Sequence, residues 1–214
     1  MPKFTALGAI LILVLGACGI GSAEPTPSVT GKVQQYLLSP HGEVEGLLLA
    51  DGTSVRFPPH EGQALAEIAK PGDEIAAVGF LGPATSYGRA LKAITITDTA
   101  TGQSLTNQSP ANPPLPPDMR GLILKPLTVS GVVAHFLVND AGDVDGLILN
   151  GGEEVKFGPH NGQVVAMMLC GQTGKTVEAS GYGTQNGFGT VVDAMSLSVD
   201  GQAVPLSGPG RPRP

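Results

Sequence analysis

The sequence predicts a mostly β protein built as two tandem five-stranded Greek-key barrels, each carrying one short helix. Three observations lead there. Glycine and proline together make up 50 of 214 residues, which suits short strands and tight turns better than helical bundles. The segment VTGKVQQYLLSPHGEVEGLLLADGTSVRFPPHEGQALA at 29–66 recurs at 129–166 as VSGVVAHFLVNDAGDVDGLILNGGEEVKFGPHNGQVVA, an ungapped shift of 100. Over 29–69 and 129–169 it keeps 17 identities in 41 positions, so the chain holds a duplicated unit. Within each unit, the hydrophobic pattern reads strand, strand, strand, helix, strand, strand.

Val29–Leu38 is β-branched and apolar and reads as the first strand. HGE turns the chain into a second strand at Val44–Ala50, and the Asp51-Gly52 pair is a hairpin turn into Ser54–Phe57. Pro58 and Pro59 have no amide donor and end strand pairing. Ala64, Leu65 and Ile68 then recur at helical spacing within Glu61–Lys70, as do Val164, Val165, Met168 and Leu169 in the second copy. Glu74–Phe80 and Ala90–Thr97 complete the five strands. Gly31, Gly46 and Gly79, with Gly131, Gly146 and Gly181, interrupt strand patterns where a bulge or barrel corner is expected. That element order is the order of the OB-fold, a three-stranded meander plus helix being the lesser alternative. With EGLLLADGTSVRFPPH as its most distinctive stretch, the chain resembles secreted bacterial OB-fold domains in tandem over about 150 of its residues. The resemblance implies a fold and no mechanism.

Outside the repeats the pattern changes. Residues 1–17 carry Lys3 and then a mostly apolar run too short to cross a bilayer, and they read as a signal peptide. Leu15, Gly16, Ala17 and Cys18 resemble the lipobox of bacterial lipoproteins, which implies lipidation at Cys18 and Cys18 as the first mature residue. Cleavage after Ala23 is the open alternative. Gly19 follows the cysteine where, by the same resemblance, an aspartate implies inner-membrane retention. The chain is therefore expected to be exported and lipid-anchored in the cell envelope, facing the periplasm in a cell with an outer membrane. Residues 18–27 form a tether, 28–104 the first domain, 105–127 a Pro-rich linker, 128–205 the second domain and 206–214 a tail. The linker is expected to be an extended spacer and the main connection between the copies, so each copy is expected to fold alone.

Composition restricts function. Charged residues are only 14% of the chain and its net charge is −6. Removal of residues 1–17 takes away one lysine and leaves −7, with eight aromatic residues over two domains. An OB-fold gripping nucleic acid needs a basic groove and stacking aromatics, so nucleic acid is not an expected partner. GQTGKT at 171–176 lacks the first glycine of a phosphate loop and follows a helix, when such a loop must precede one. NDAGDVDG at 139–146 fails the calcium-loop pattern at both ends. Neither GxSxG nor HExxH occurs, and no enzyme activity or cofactor is implied. Cys170 follows an apolar run and is expected to be buried and inert.

The candidate ligand-binding residues are shared between the copies. Glu43 and Glu45 match Asp143 and Asp145; alternation on a strand puts each pair on one face, either a solvated rim or a weak cation patch by the loop between the first two strands. His60 and His160 follow FPP and FGP at the expected helix start. A neutral imidazole there is a good metal ligand, but each copy offers one such histidine, so bonding to the backbone competes with that role. The expected function is a non-catalytic envelope lipoprotein whose two domains bind a protein partner or small solute, with duplication favouring bivalent contact. Metal binding through His60 and His160 with the acidic loops is the alternative.

Overall fold

The computed structural model describes residues 28–108 and 123–207. The first unit contains β1 (Ser28–Leu38), β2 (Val44–Leu49), β3 (Ser54–Arg56), α1 (Gly62–Ile68), β4 (Glu74–Leu81) and β5 (Ala90–Asp98). Its strands close in the order β1-β2-β3-β5-β4 and back to β1, with β3 and β5 parallel and the other pairs antiparallel. The second unit repeats this with β7 (Lys125–Val138), β8 (Val144–Leu149), β9 (Glu154–Lys156), α2 (Pro159–Met168), β10 (Thr176–Asn186) and β11 (Gly189–Val199). Both are closed five-stranded OB-like barrels, as expected. Two short strands the hydrophobic pattern does not announce, β6 (Ser104–Thr106) and β12 (Gln202–Val204), extend β5 and β11 at the edge of each sheet.

The barrels close through bends that the sequence marks. Residues 28–32 of β1 pair with β4, whereas the strand from Val33 onwards pairs with β2, so β1 turns a barrel corner. Bulges lie at Val78/Gly79 and Ser180/Gly181. A Cβ at Gly79 would sit 2.1 Å from the Lys92 carbonyl oxygen, and one at Gly181 would sit 1.9 Å from that of Asp193. Only glycine permits so close a strand crossing. Each helix covers one barrel end, burying Leu65 and Ala66 or Val165 and Ala166.

The main departure from expectation lies between the barrels. They do not meet only through a spacer. Leu37, Leu48, Leu137 and Ile148 point out of their own barrels and form a separate cluster, each at most 1% exposed. The sequence carries this as unbroken apolar triplets, Leu47–Leu49 and Leu147–Leu149. A strand with one wet face alternates, whereas a continuous run is buried on both faces.

The contacts across this seam are reciprocal. Tyr36 meets Phe188 edge-on at 5.5 Å between ring centres, and the matching Phe136 meets Tyr87 at 5.0 Å. Val191 of the second barrel joins the first core, while Ala90 of the first joins the second. Near the tip of the β10–β11 hairpin, Asn186 Nδ2 donates to the Gly42 carbonyl at 2.8 Å, and Thr184 Oγ1 donates to that of Pro40 at 3.2 Å. The ring pairs and the exchanged Val191 and Ala90 correspond between the copies at offsets of 100 in the first half of the repeat and 101 in the second, which is the pattern of an isologous two-fold interface made within one chain. The two hydrogen bonds from the β10–β11 hairpin are additional to it. Among the described residues no helix is long and apolar enough to cross a membrane. Cys18, the signal segment and most of the linker and tail lie outside the described residues.

Candidate ligand groove at the seam

The third strand of each barrel ends in a cation whose neighbours point inward. Val55 and Phe57 are buried, so Arg56 faces outward, and Lys156 does the same between Val155 and Phe157. Outward here means toward the other barrel. Arg56 Nη2 donates to both carboxylate oxygens of Asp145, at 2.9 and 3.1 Å, and to the Val138 carbonyl at 3.2 Å. Its Nη1 donates to Glu45 at 3.0 Å. Lys156 Nζ donates in turn to Glu45 and lies 3.4 Å from Glu154 Oε1. The other oxygen of Glu154 accepts the backbone N–H of Leu38 at 2.8 Å.

Glu45 and Asp145, selected from the sequence, are thus brought into one network. They are not a solvated rim: their side chains are about one-fifth exposed and engaged by cations. Three carboxylates face two cations, and Glu154 is only 1% exposed. Burial pushes the Glu154 carboxyl above its ordinary range, against the pull of Lys156. Burial does the same to Asp145, partly offset by Arg56 and Lys156. For Arg56 burial disfavours the charge, but Asp145, Glu45, Glu154 and Asp140 outweigh it and hold the guanidinium above its usual value.

Beside this network opens a groove of about 500 Å³ walled by both barrels. Phe57, Pro58 and Pro59 supply its apolar side. Lys92 and the Asn139–Ala141 loop of the second barrel supply polar and charged atoms opposite. The lining therefore combines apolar contact with groups of both charge signs and side-chain amides, a set suited to holding a ligand in one orientation. Among the described residues the lining includes no hydroxyl, thiol or imidazole. The strand face and first loop that OB-folds commonly offer to ligands are in each barrel committed largely to the other barrel.

The remaining candidates lie apart. His60 falls in a 3-10 turn at Pro59–Glu61, exposed, with Nε2 3.3 Å from the Gln108 carbonyl oxygen. His160 is the exposed second residue of α2 and lines a different cavity of about 490 Å³ with Asp143, Gln163 and Tyr87. Glu43 and Asp143 precede β2 and β8, and their carbonyls accept from Ser39 and Asn139 in the turn. Among the described residues no three His, Cys, Asp or Glu side chains gather closely enough to hold a metal ion. Cys170 is exposed, contrary to the expected burial. It stands in the left-handed conformation (φ 54°) as the chain leaves α2, so the buried side chain is that of Leu169. Its Sγ accepts from Lys175 Nζ at 3.6 Å.

Sequence reasoning passed over Arg56, Lys156 and Glu154. The available signal was the VRF and VKF pair, a cation kept between two buried residues at the same repeat position. Comparison of the chain with family models, with curated proteins and with solved structures finds no match.

Proposed function

We propose that the chain is a non-catalytic cell-envelope lipoprotein, anchored through Cys18, that binds a protein partner or a small solute in the groove at the seam. The observation that carries this reading is the groove itself, which lies beside the Arg56–Asp145–Glu45–Lys156 network and whose wall requires both copies of the repeat. Its apolar side and paired charges suit recognition of an amphipathic group. Duplication then serves to build one composite surface rather than two separate modules. The signal-like start and the LGAC sequence support export and anchoring, facing the periplasm in a cell with an outer membrane.

The test has two arms. Cys18→Ala should move the protein from the detergent phase to the soluble fraction, and a wild-type protein that is wholly soluble contradicts the anchor. Ala141→Arg, on the exposed loop over the groove, should remove a partner or solute that co-purifies with the tagged wild type from its own cells. Equal recovery with both proteins contradicts the groove as the binding site.

A further inference from the structure

Six large apolar side chains are exposed among the described residues, and four of them form a duplicated pair of patches. Phe80 and Tyr182 each follow the bulge glycine of their strand and are 68% and 47% exposed. Across the strand pair, Ile94 and Met195 are the residues that the bulge leaves without a partner in register, 36% and 59% exposed. A bulge re-aims the side chain it displaces, and both copies of the repeat use it to present an aliphatic group beside an aromatic one. Exposed apolar surface kept as a patch marks an interaction site.

The two patches differ in charge. The residue directly opposite Phe80 is Lys92, and the residue directly opposite Tyr182 is Asp193. Further along the same faces, the first carries Lys32 and Glu74 in one register pair, and the second carries the exposed Glu178, while its half-buried Asp193 lies in register with Lys156 as Lys92 does with Arg56. The first face is therefore net positive and the second net negative, with matching apolar groups at matching positions. Either face docked on its own copy would bring two faces of like net charge together. Docked on each other, the two faces pair aromatic and aliphatic groups and bring opposite charges together.

We infer that the Phe80–Lys92–Ile94 face of one molecule docks on the Tyr182–Asp193–Met195 face of a second copy. This contact is head-to-tail, so it propagates into a ring or an open chain of molecules rather than stopping at a dimer. Neither face belongs to the seam cluster, and of the residues that define the two faces Lys92 alone also lines the groove.

The full chain in a nonionic detergent, followed by sedimentation velocity over a range of concentrations, tests this. Wild type should form species beyond the dimer, weakened by added salt. Phe80→Asp and Tyr182→Asp each should weaken association about tenfold or more, with unchanged far-UV circular dichroism because both side chains are at the surface. An equimolar mixture of the two variants retains one intact face of each kind and should recover a dimer that grows no further. A wild type that stays monomeric overturns the inference, as do variants that associate like wild type and a mixture that recovers nothing. If both variants misfold, Ile94→Lys and Met195→Glu supply the same comparison.

Discussion

Leu48 is the residue at which a pair of fused barrels and a pair of tethered barrels differ most. It points away from its own barrel and is fully buried against Leu37, Leu137 and Ile148. If the barrels were joined only by the spacer, Leu48 would lie on a solvated strand face, where truncation changes stability by no more than about 0.5 kcal/mol. In the seam, Leu48→Ala removes three carbons from a site held by two closed barrels that cannot easily collapse around the gap, so the cost should fall at about 3–5 kcal/mol. Urea unfolding followed by circular dichroism reads this directly. With a slope of about 1–3 kcal/mol per molar urea, the midpoint should drop by at least about 1 M, and the shift should appear for both barrels. A loss below about 0.5 kcal/mol, or a shift confined to the first barrel with the second unchanged, refutes the reasoning.

Other consequences concern the charges around that cluster. Arg56→Ala leaves Asp145 and Glu45 facing each other with one cation fewer, and should cost about 3–5 kcal/mol in the same assay. Asp145→Asn in that background should recover part of the loss, and strict additivity would show the pair is not coupled. Glu154 has its folded pKa raised, so the native state holds this proton more tightly than the unfolded chain. Its contribution is then most favourable below the ordinary carboxylate pKa and is lost as pH rises through the raised folded value. Glu154→Gln should raise the melting temperature at neutral pH and flatten the decline of stability above the ordinary range, while an unchanged pH profile contradicts the assignment. His60→Ala and His160→Ala, both at exposed positions, should each change stability by no more than about 0.5 kcal/mol. A zinc- or copper-dependent rise in melting temperature that either variant abolishes would restore the metal-binding alternative.

Much of the fold is visible in the residues. Asp51-Gly52 and the prolines at 58 and 59 place the hairpin and the end of the third strand, and the repeat then assigns the same events to the second copy. The strand glycines at 79 and 181 mark bulges that close the barrels. The seam was written in the sequence as well, in Leu47–Leu49 and Leu147–Leu149, but a run of three apolar residues gives no indication of what covers its second face. The same limit hid the role of the charges. Glu45 and Asp145 are evident as paired acidic positions, yet Arg56 reaches Asp145 and Lys156 reaches Glu45 from the opposite copy, 89 and 111 residues away along the chain, and only the Glu45–Arg56 pair is local. Separations of that size have no local periodicity to reveal them. Cys170 was misplaced for a local reason, since the apolar run before it ends one residue earlier, at the buried Leu169.

The central claim is that the two barrels are held together by their seam and not by the spacer. Co-expressing residues 28–108 and 123–207 as separate chains, with a tag on one, tests this most directly. The two pieces should co-purify as a one-to-one complex, and Leu48→Ala together with Arg56→Ala should separate them. Two folded, soluble monomers that do not associate would contradict the claim.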